Sequence, residues 1–208
     1  MKILVVAATE FEISDLKLFF VNDNSIHFLT TEVGMTSTAY YLTKELLMNK
    51  YDLVINIGIA GSFNKQLSIG EVTSVENDFF AELGAENNDE FIPFPKMNLP
   101  GAYSFINKNA ISSKTYQQLK KVKAATVNKV HGNEASINKF LSIHNVDIES
   151  MEGAAVAMVC EKDNIPYVQI RSISNYVTKR NTSEWNISLA IKNLNTSLIN
   201  ILNELHEN

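Results

Sequence analysis

Glu149-Ser150-Met151-Glu152-Gly153-Ala154-Ala155-Val156-Ala157-Met158-Val159-Cys160, followed after four residues by Ile165-Pro166-Tyr167-Val168-Gln169-Ile170-Arg171-Ser172-Ile173-Ser174-Asn175-Tyr176-Val177, decides how the chain folds. It reads as a strand end, a helix opening at a carboxylate, a short turn and a second apolar strand. The helix has no polar face for two turns after Gly153, so it is expected to be buried. The second strand ends in Arg171, Ser172, Ser174 and Asn175. Polar residues at two strand ends around a helix N-terminus are the usual place for chemistry in an α/β fold.

The same alternation continues outward in both directions. Residues 2–8 are an apolar run of the kind covered on both faces. A short helix over 11–20 and a strand over 26–33 are expected next. Gly34 to Thr38 forms a turn, and Ala39, Leu42 and Leu46 follow at helical spacing, with Thr36 or Ser37 as the N-cap. Tyr51 to Gly58 is a buried strand opening into Gly58-Ile59-Ala60-Gly61-Ser62, either a simple strand-end turn or a loop whose backbone approaches a ligand. A strand over 70–80 leads to a polar stretch, 82–100, with Pro93, Pro95 and Pro100. This reads as a long surface loop that covers a pocket. A helix near 112–121, a strand near 122–130 and a helix over 135–144 precede the opening stretch. Ile187, Ile191, Leu194, Leu198, Ile201 and Leu205 mark an amphipathic closing helix. The pattern calls for one domain over residues 1–208, a three-layer α/β/α sandwich around a mixed, twisted sheet.

Composition removes several function classes. A net charge of -5 gives no basic footprint, so no nucleic-acid partner is expected. No apolar run approaches the ~20 residues that cross a bilayer, so no membrane partner is expected. The run Met1–Ala8 passes into Thr9-Glu10-Phe11-Glu12 without a cleavage context and reads as a strand rather than a signal peptide. The single cysteine, Cys160, excludes an internal disulfide and fits a reducing compartment, with the cytoplasm as the default. In its apolar helix it reads as a structural thiol. The four histidines (His27, His131, His144, His206) show no metal-ligand spacing with one another or with Cys160, so no metal is expected. His131, beside Gly132 at a strand end, reads as a structural histidine. There is neither a dinucleotide fingerprint nor a phosphate-loop motif, and no cofactor is expected.

Three groups keep two readings each. Glu10 and Glu12 are either solvated acids in a helix's first turn or include a general base at a strand's carboxyl end. Glu152 is either a helix cap or a carboxylate that takes hydroxyl donors at the mouth of a buried helix. Arg171, inside an apolar run, is either half of a structural ion pair or the wall of an anion or ligand pocket.

Taken together, Ala8-Thr9-Glu10-Phe11-Glu12, Asn56-Ile57-Gly58-Ile59-Ala60-Gly61, Met151-Glu152-Gly153-Ala154-Ala155 and Arg171-Ser172-Ile173-Ser174-Asn175 occur in the order of the nucleoside phosphorylase/nucleosidase superfamily. Almost the whole chain resembles it. Residues 126–134, Ile173 to Val177, Arg180-Asn181 and Trp185-Asn186 resemble the futalosine hydrolases specifically, with methylthioadenosine/adenosylhomocysteine nucleosidases as close cousins. The resemblance implies that Glu12 activates water and that Arg171 helps hold it. Met151 would pack on the sugar and Glu152 would take its hydroxyls, while Ser174 and Asn175 meet the base. Ile59, Ala60 and Gly61 would line the substrate, and Gly132, Asn133, Glu134 and Ala135 the base. It further implies a homodimer and a small nucleoside as the partner.

Two departures from the adenine-specific cousins stand out. Ile59 replaces a small hydroxyl residue, and Asn175 replaces an aspartic acid. An amide NH2 can donate to N7 and to a 6-oxo oxygen together, which points to hypoxanthine as the base. Phosphorylases of the superfamily hold phosphate with arginines and an early glycine-rich loop. Here the first arginine is Arg171, and Glu12 would repel the anion.

Overall fold

The computed structural model describes residues 1–206. Its strands are β1 (Ile3–Ala7), β2 (Ile26–Thr30), β3 (Leu53–Ser62), β4 (Val72–Phe79), β5 (Gly84–Asn87), β6 (Glu90–Pro93), β7 (Ser104–Ile106), β8 (Lys120–Thr126), β9 (Ile148–Ser150) and β10 (Tyr167–Tyr176). The helices are α1 (Glu10–Phe19), α2 (Met35–Met48), α3 (Lys114–Gln118), α4 (Glu134–Ile143), α5 (Gly153–Lys162) and α6 (Ile187–His206).

Eight strands form one mixed sheet in the order β10-β4-β8-β9-β3-β1-β2, with β7 added on β4. β10 also pairs with β3, so β3, β10, β4, β8 and β9 close on themselves while β1 and β2 extend as a parallel wing. That closure adds to the expected three-layer α/β arrangement, and it brings the ends of β3, β9 and β10 to one rim. One cluster packs α1 and α6 on the sheet through Ile13, Leu16, Leu194, Leu198 and Ile201. A second packs α2 and α5 through Leu42, Leu46, Ala154, Ala157 and Cys160. Cys160 is buried and its thiol pKa is pushed well up by burial, as suits a structural residue.

Three local expectations change. Gly58 to Ser62 is not a turn but the second half of β3, held on one side by β10. The helix after β2 starts at Met35 rather than after Thr36 or Ser37, and its N-cap is Gly34 at φ 101°, a backbone conformation that favours glycine. The 82–100 stretch is not a featureless loop, since β5 and β6 form an antiparallel hairpin within it. None of the described helices is long and apolar enough to cross a membrane.

Candidate active site

A cavity of about 490 Å³ opens at the carboxyl ends of β1, β3 and β10. The N-termini of α1 and α5 meet there, and α2 approaches through Gly34.

Glu12 is the third residue of α1 and takes part in a capping box. Its Oε2 accepts the Thr9 N–H and the Thr9 hydroxyl, both at 2.9 Å, and its Oε1 accepts the Ile59 N–H at 3.2 Å. These bonds hold a carboxylate only 7% exposed in the cavity wall. A side chain at Gly58 would crowd it, since a Cβ there would stand 3.1 Å from Oε1. Glu10 behaves differently: it is exposed and pairs with Lys17 at 2.7 Å. The first-turn reading therefore fits Glu10, while Glu12 is both a first-turn residue and a cavity residue.

Glu152 does not cap α5 with its side chain. Its Oε1 accepts the Gly34 N–H at 3.0 Å and its Oε2 accepts the Met151 N–H at 3.2 Å, so the carboxylate is fixed at the cavity beside Met151. Burial raises its pKa, opposed by the Gly34 N–H and by Arg171. The cap of α5 comes from elsewhere. Thr126 Oγ1 accepts the Ala154 N–H at 2.7 Å and donates to Asp78 Oδ1 at 2.9 Å.

Arg171 is buried behind the cavity wall rather than in it. Nη1 donates to the Asn56 and Ile170 carbonyls at 3.2 and 3.0 Å, and Nη2 donates to Asn56 Oδ1. Burial lowers its pKa, while Glu152, Asp78 and Glu12 favour its charge. The expected direct grip on a water is not matched by this placement, since the guanidinium is spent on Asn56 and the Ile170 carbonyl and does not line the cavity.

A bulge in β10 skips one residue between Ile173 and Asn175 against β3, and it turns Ser174 and Asn175 to the cavity. Asn175 Oδ1 accepts from Ser174 Oγ at 2.8 Å, and its Nδ2 donates to the Tyr176 carbonyl at 3.1 Å. A carbonyl only accepts, so the amide orientation is fixed and one N–H remains for a ligand. The expected pair of donations from this amide to N7 and a 6-oxo oxygen is thereby reduced to a single N–H. Gly61 makes the approach possible, as a Cβ there would lie 3.3 Å from Asn175 Nδ2 and 2.9 Å from Val177 Cγ2.

Ile59, Ala60, Gly61, Met151, Glu152, Ser174, Asn175 and Glu12 are thus brought together. Gly132, Asn133, Glu134 and Ala135 do not line the cavity. Asn133 spends its side chain accepting the Ser136 N–H at the start of α4, and Glu134 and Ala135 are exposed. The wall is built instead by Val130 and His131. His131 Nδ1 lies 2.6 Å from Glu149 Oε2, and its backbone N–H donates to Glu149 Oε1 at 2.9 Å, so this structural histidine is also a cavity residue. Glu149, Phe11, Trp185 and Ile187 were not marked by any sequence signal as wall residues. Arg180, stacked over Trp185 at 4.9 Å, also reaches the cavity. No cluster of His, Cys, Asp and Glu among the described residues is arranged to hold a metal.

Comparison with known proteins places the chain in a family. The phosphorylase superfamily pattern matches residues 3–205. A futalosine hydrolase from Acidothermus cellulolyticus is 29% identical over 173 residues, covering 80% of this chain and 70% of that protein. A 5'-methylthioadenosine/S-adenosylhomocysteine nucleosidase from Buchnera aphidicola is 28% identical over 210 residues, covering 95% and 82%. Among solved structures, a Helicobacter pylori nucleosidase variant with 5'-methylthioadenosine in its active site superposes with a TM-score of 0.83. It shares 19% identity and covers 98% of this chain and 99% of its own, a likeness of fold.

Proposed function

The chain belongs to the phosphorylase superfamily, and from that premise we propose that it is a purine nucleosidase that hydrolyses futalosine to hypoxanthine and dehypoxanthine futalosine, a step of menaquinone biosynthesis. The observation that carries hydrolysis is Glu12. It is a buried carboxylate in the cavity wall, with three donors fixing it and Oε1 accepting only one of them. A water beside Oε1 would lose its proton to Glu12 as it attacks the anomeric carbon. A phosphate there would meet an anion at close range, and Arg171, buried against Asn56, is not turned outward to receive it.

The transition state for such a reaction is oxocarbenium-like. Glu152, held by Gly34 and Met151 at the cavity, takes ribose hydroxyls and gains from positive charge on the sugar. The free N–H of Asn175 meets negative charge growing on the purine. Both interactions strengthen as the bond breaks, which is what lowers a barrier. The preference for a 6-oxopurine is supported by the amide itself. Asn175 has no proton to deliver, and hypoxanthine leaves as a weaker base than adenine. With one donor available, it serves N7 first.

We further propose a homodimer. Phe11, Val33 and Ile187 line the cavity yet are 79%, 55% and 41% exposed, an unfinished apolar rim that a second copy would cover. The 84–93 hairpin is our candidate for the covering segment. The buried single thiol suits the cytoplasm. A second reading, hydrolysis of methylthioadenosine or adenosylhomocysteine, is favoured by the 95% coverage of this chain by a nucleosidase of that kind. Incubation with futalosine, inosine and methylthioadenosine, with and without phosphate, separates these readings by the base released. Hypoxanthine from futalosine without phosphate is expected. Adenine release with no hypoxanthine would overturn the substrate, and an absolute need for phosphate would overturn hydrolysis.

A further inference from the structure

Behind the ribose-binding carboxylate lies a buried polar group that hydrolysis does not use. Asp78, at the end of β4, is 1% exposed. Its Oδ1 accepts two hydrogen bonds, from the Phe79 N–H at 2.8 Å and from Thr126 Oγ1 at 2.9 Å. Its Oδ2 is fully buried and has no hydrogen-bond partner among the described residues, and Gln169 Oε1 on β10 is in the same condition. The two oxygens crowd the same point. A Cβ on Gly153 would collide with both, and would come within 3.2 Å of Arg171 Nη2. Rotating the Gln169 amide does not resolve the conflict, because its Nε2 donates to the Gly153 carbonyl at 3.2 Å and an oxygen there would face another acceptor. Two buried acceptors side by side, with no protein donor between them, lack one hydrogen. A proton on Asp78 supplies it.

We propose that Asp78 is a proton-holding positioning residue, whose Oδ2–H donates to Gln169 Oε1 and thereby fixes Gly153 and the start of α5, the turn that aims Glu152 at the substrate. Loss of the proton returns two facing acceptors under Gly153 and loosens that turn. The surroundings are consistent with this assignment. β10 presents Arg171, whose charge favours ionisation, together with Gln169 and Tyr167. β8 presents Thr126, α5 presents its N-terminal N–H groups and Glu152, and β7 places the apolar Phe105 opposite Asp78. Burial outweighs the ionising influences and pushes Asp78 up to about 6 from its ordinary 3.8.

For a group raised in this way, the stabilising contribution is full below the unfolded value and is lost as pH rises through the folded one. D78N mimics the protonated form, since its Nδ2 donates to Gln169 Oε1 permanently and its Oδ1 keeps Thr126 and Phe79. We expect the folding constant of wild type relative to D78N to fall by up to ~tenfold per pH unit in the window between the unfolded and folded values and to level off above it. Comparison with D78N cancels Glu152 and every other shared group. On aspartate-labelled wild type, carbon NMR should find one carboxyl titrating near 6 that D78N lacks. These two arms need no substrate. A third rests on the nucleosidase reading: KM for the nucleoside should rise with pH through the same midpoint in wild type but not in D78N, with kcat little changed. A wild-type protein without an aspartate titrating in that range overturns the proposal. So does a D78N protein whose stability is lowered by the same amount at every pH, because Asp78 would then be an ionised partner of Arg171.

Discussion

Glu12→Gln separates the chemical from the structural role of the residue to which we assign the activation of water. The substitution keeps the size of the side chain but turns one acceptor into a donor. In the native site both oxygens accept, Oε2 from Thr9 N and Oγ1 and Oε1 from Ile59 N. If the new NH2 faces Ile59, two donors oppose each other. If it faces Thr9, the hydroxyl can turn round to accept, but the Thr9 N–H loses its acceptor. Either arrangement leaves a poorly hydrated N–H unpaired, at a cost of about 1–3 kcal/mol. For a chain of this size that lowers Tm by ~2–12 °C, too little to unfold a protein of ordinary stability at 25 °C. The loss of a positioned general base is larger, ~10²–10⁴-fold in kcat. The assay is kcat at saturating nucleoside at a temperature where melting curves show both proteins folded. A kcat near wild type would refute the water-activating role, whatever the melting curve shows. An unchanged Tm with lost turnover would uphold the chemistry but refute the hydrogen-bond inventory around Glu12.

Asn175→Asp should move kcat/KM toward 6-aminopurine nucleosides, because a protonated carboxyl can deliver a full proton to N7; unchanged base selectivity removes the amide from specificity. Gly153→Ala should be among the most damaging small substitutions, since its methyl group would overlap Asp78 Oδ2 and Gln169 Oε1; a Tm close to wild type would refute the packing described at the start of α5. Thr126→Val keeps the shape but cuts the relay from Ala154 N–H to Asp78, and should cost ~1–2 kcal/mol in chemical denaturation, the scale of a lost helix cap; no change would mean the cap is made otherwise. Glu204 accepts from Ser113 and Thr115 at the start of α3, and these bonds lower its pKa to about 2. Its contribution is therefore present above the unfolded value of 4.5 and is lost as pH falls through the folded one. Glu204→Gln should melt below wild type at neutral pH, with the gap closing in acid; a gap independent of pH would contradict this.

The alternation of strands and helices was legible because parallel strands covered on both faces read as apolar runs, unbroken in Ile3–Ala7 and interrupted only by Asn56 in Leu53–Ile57. Closure of β3, β10, β4, β8 and β9 was not, since it depends on long-range pairing that leaves no local periodicity. Gly58 and Gly61 suggested a turn, yet here they are strand glycines that admit Glu12 and Asn175 from neighbouring elements. In the site, Glu152 could be marked because a carboxylate at the mouth of a buried helix needs a partner, and Glu12 because it stands just beyond the end of the first strand in a motif that resembles the family's. Arg171 carried the same signal and proved to be a buried brace. The 132–135 segment stands outside the cavity, with Asn133 used as a helix cap, a competing use that the residue type favours equally. Ile187 and Ile191, at the front of the α6 stripe, and Trp185 just before it line the cavity, and periodicity cannot say which part of an apolar stripe meets core and which meets a ligand.

The most direct test of the whole account is a competition between futalosine and methylthioadenosine at equal concentration, in phosphate-free buffer made with isotopically labelled water. Hypoxanthine should be the base released faster, and the liberated sugar should carry one labelled oxygen at its anomeric carbon. Adenine as the dominant product, or a sugar product without the label, would contradict it.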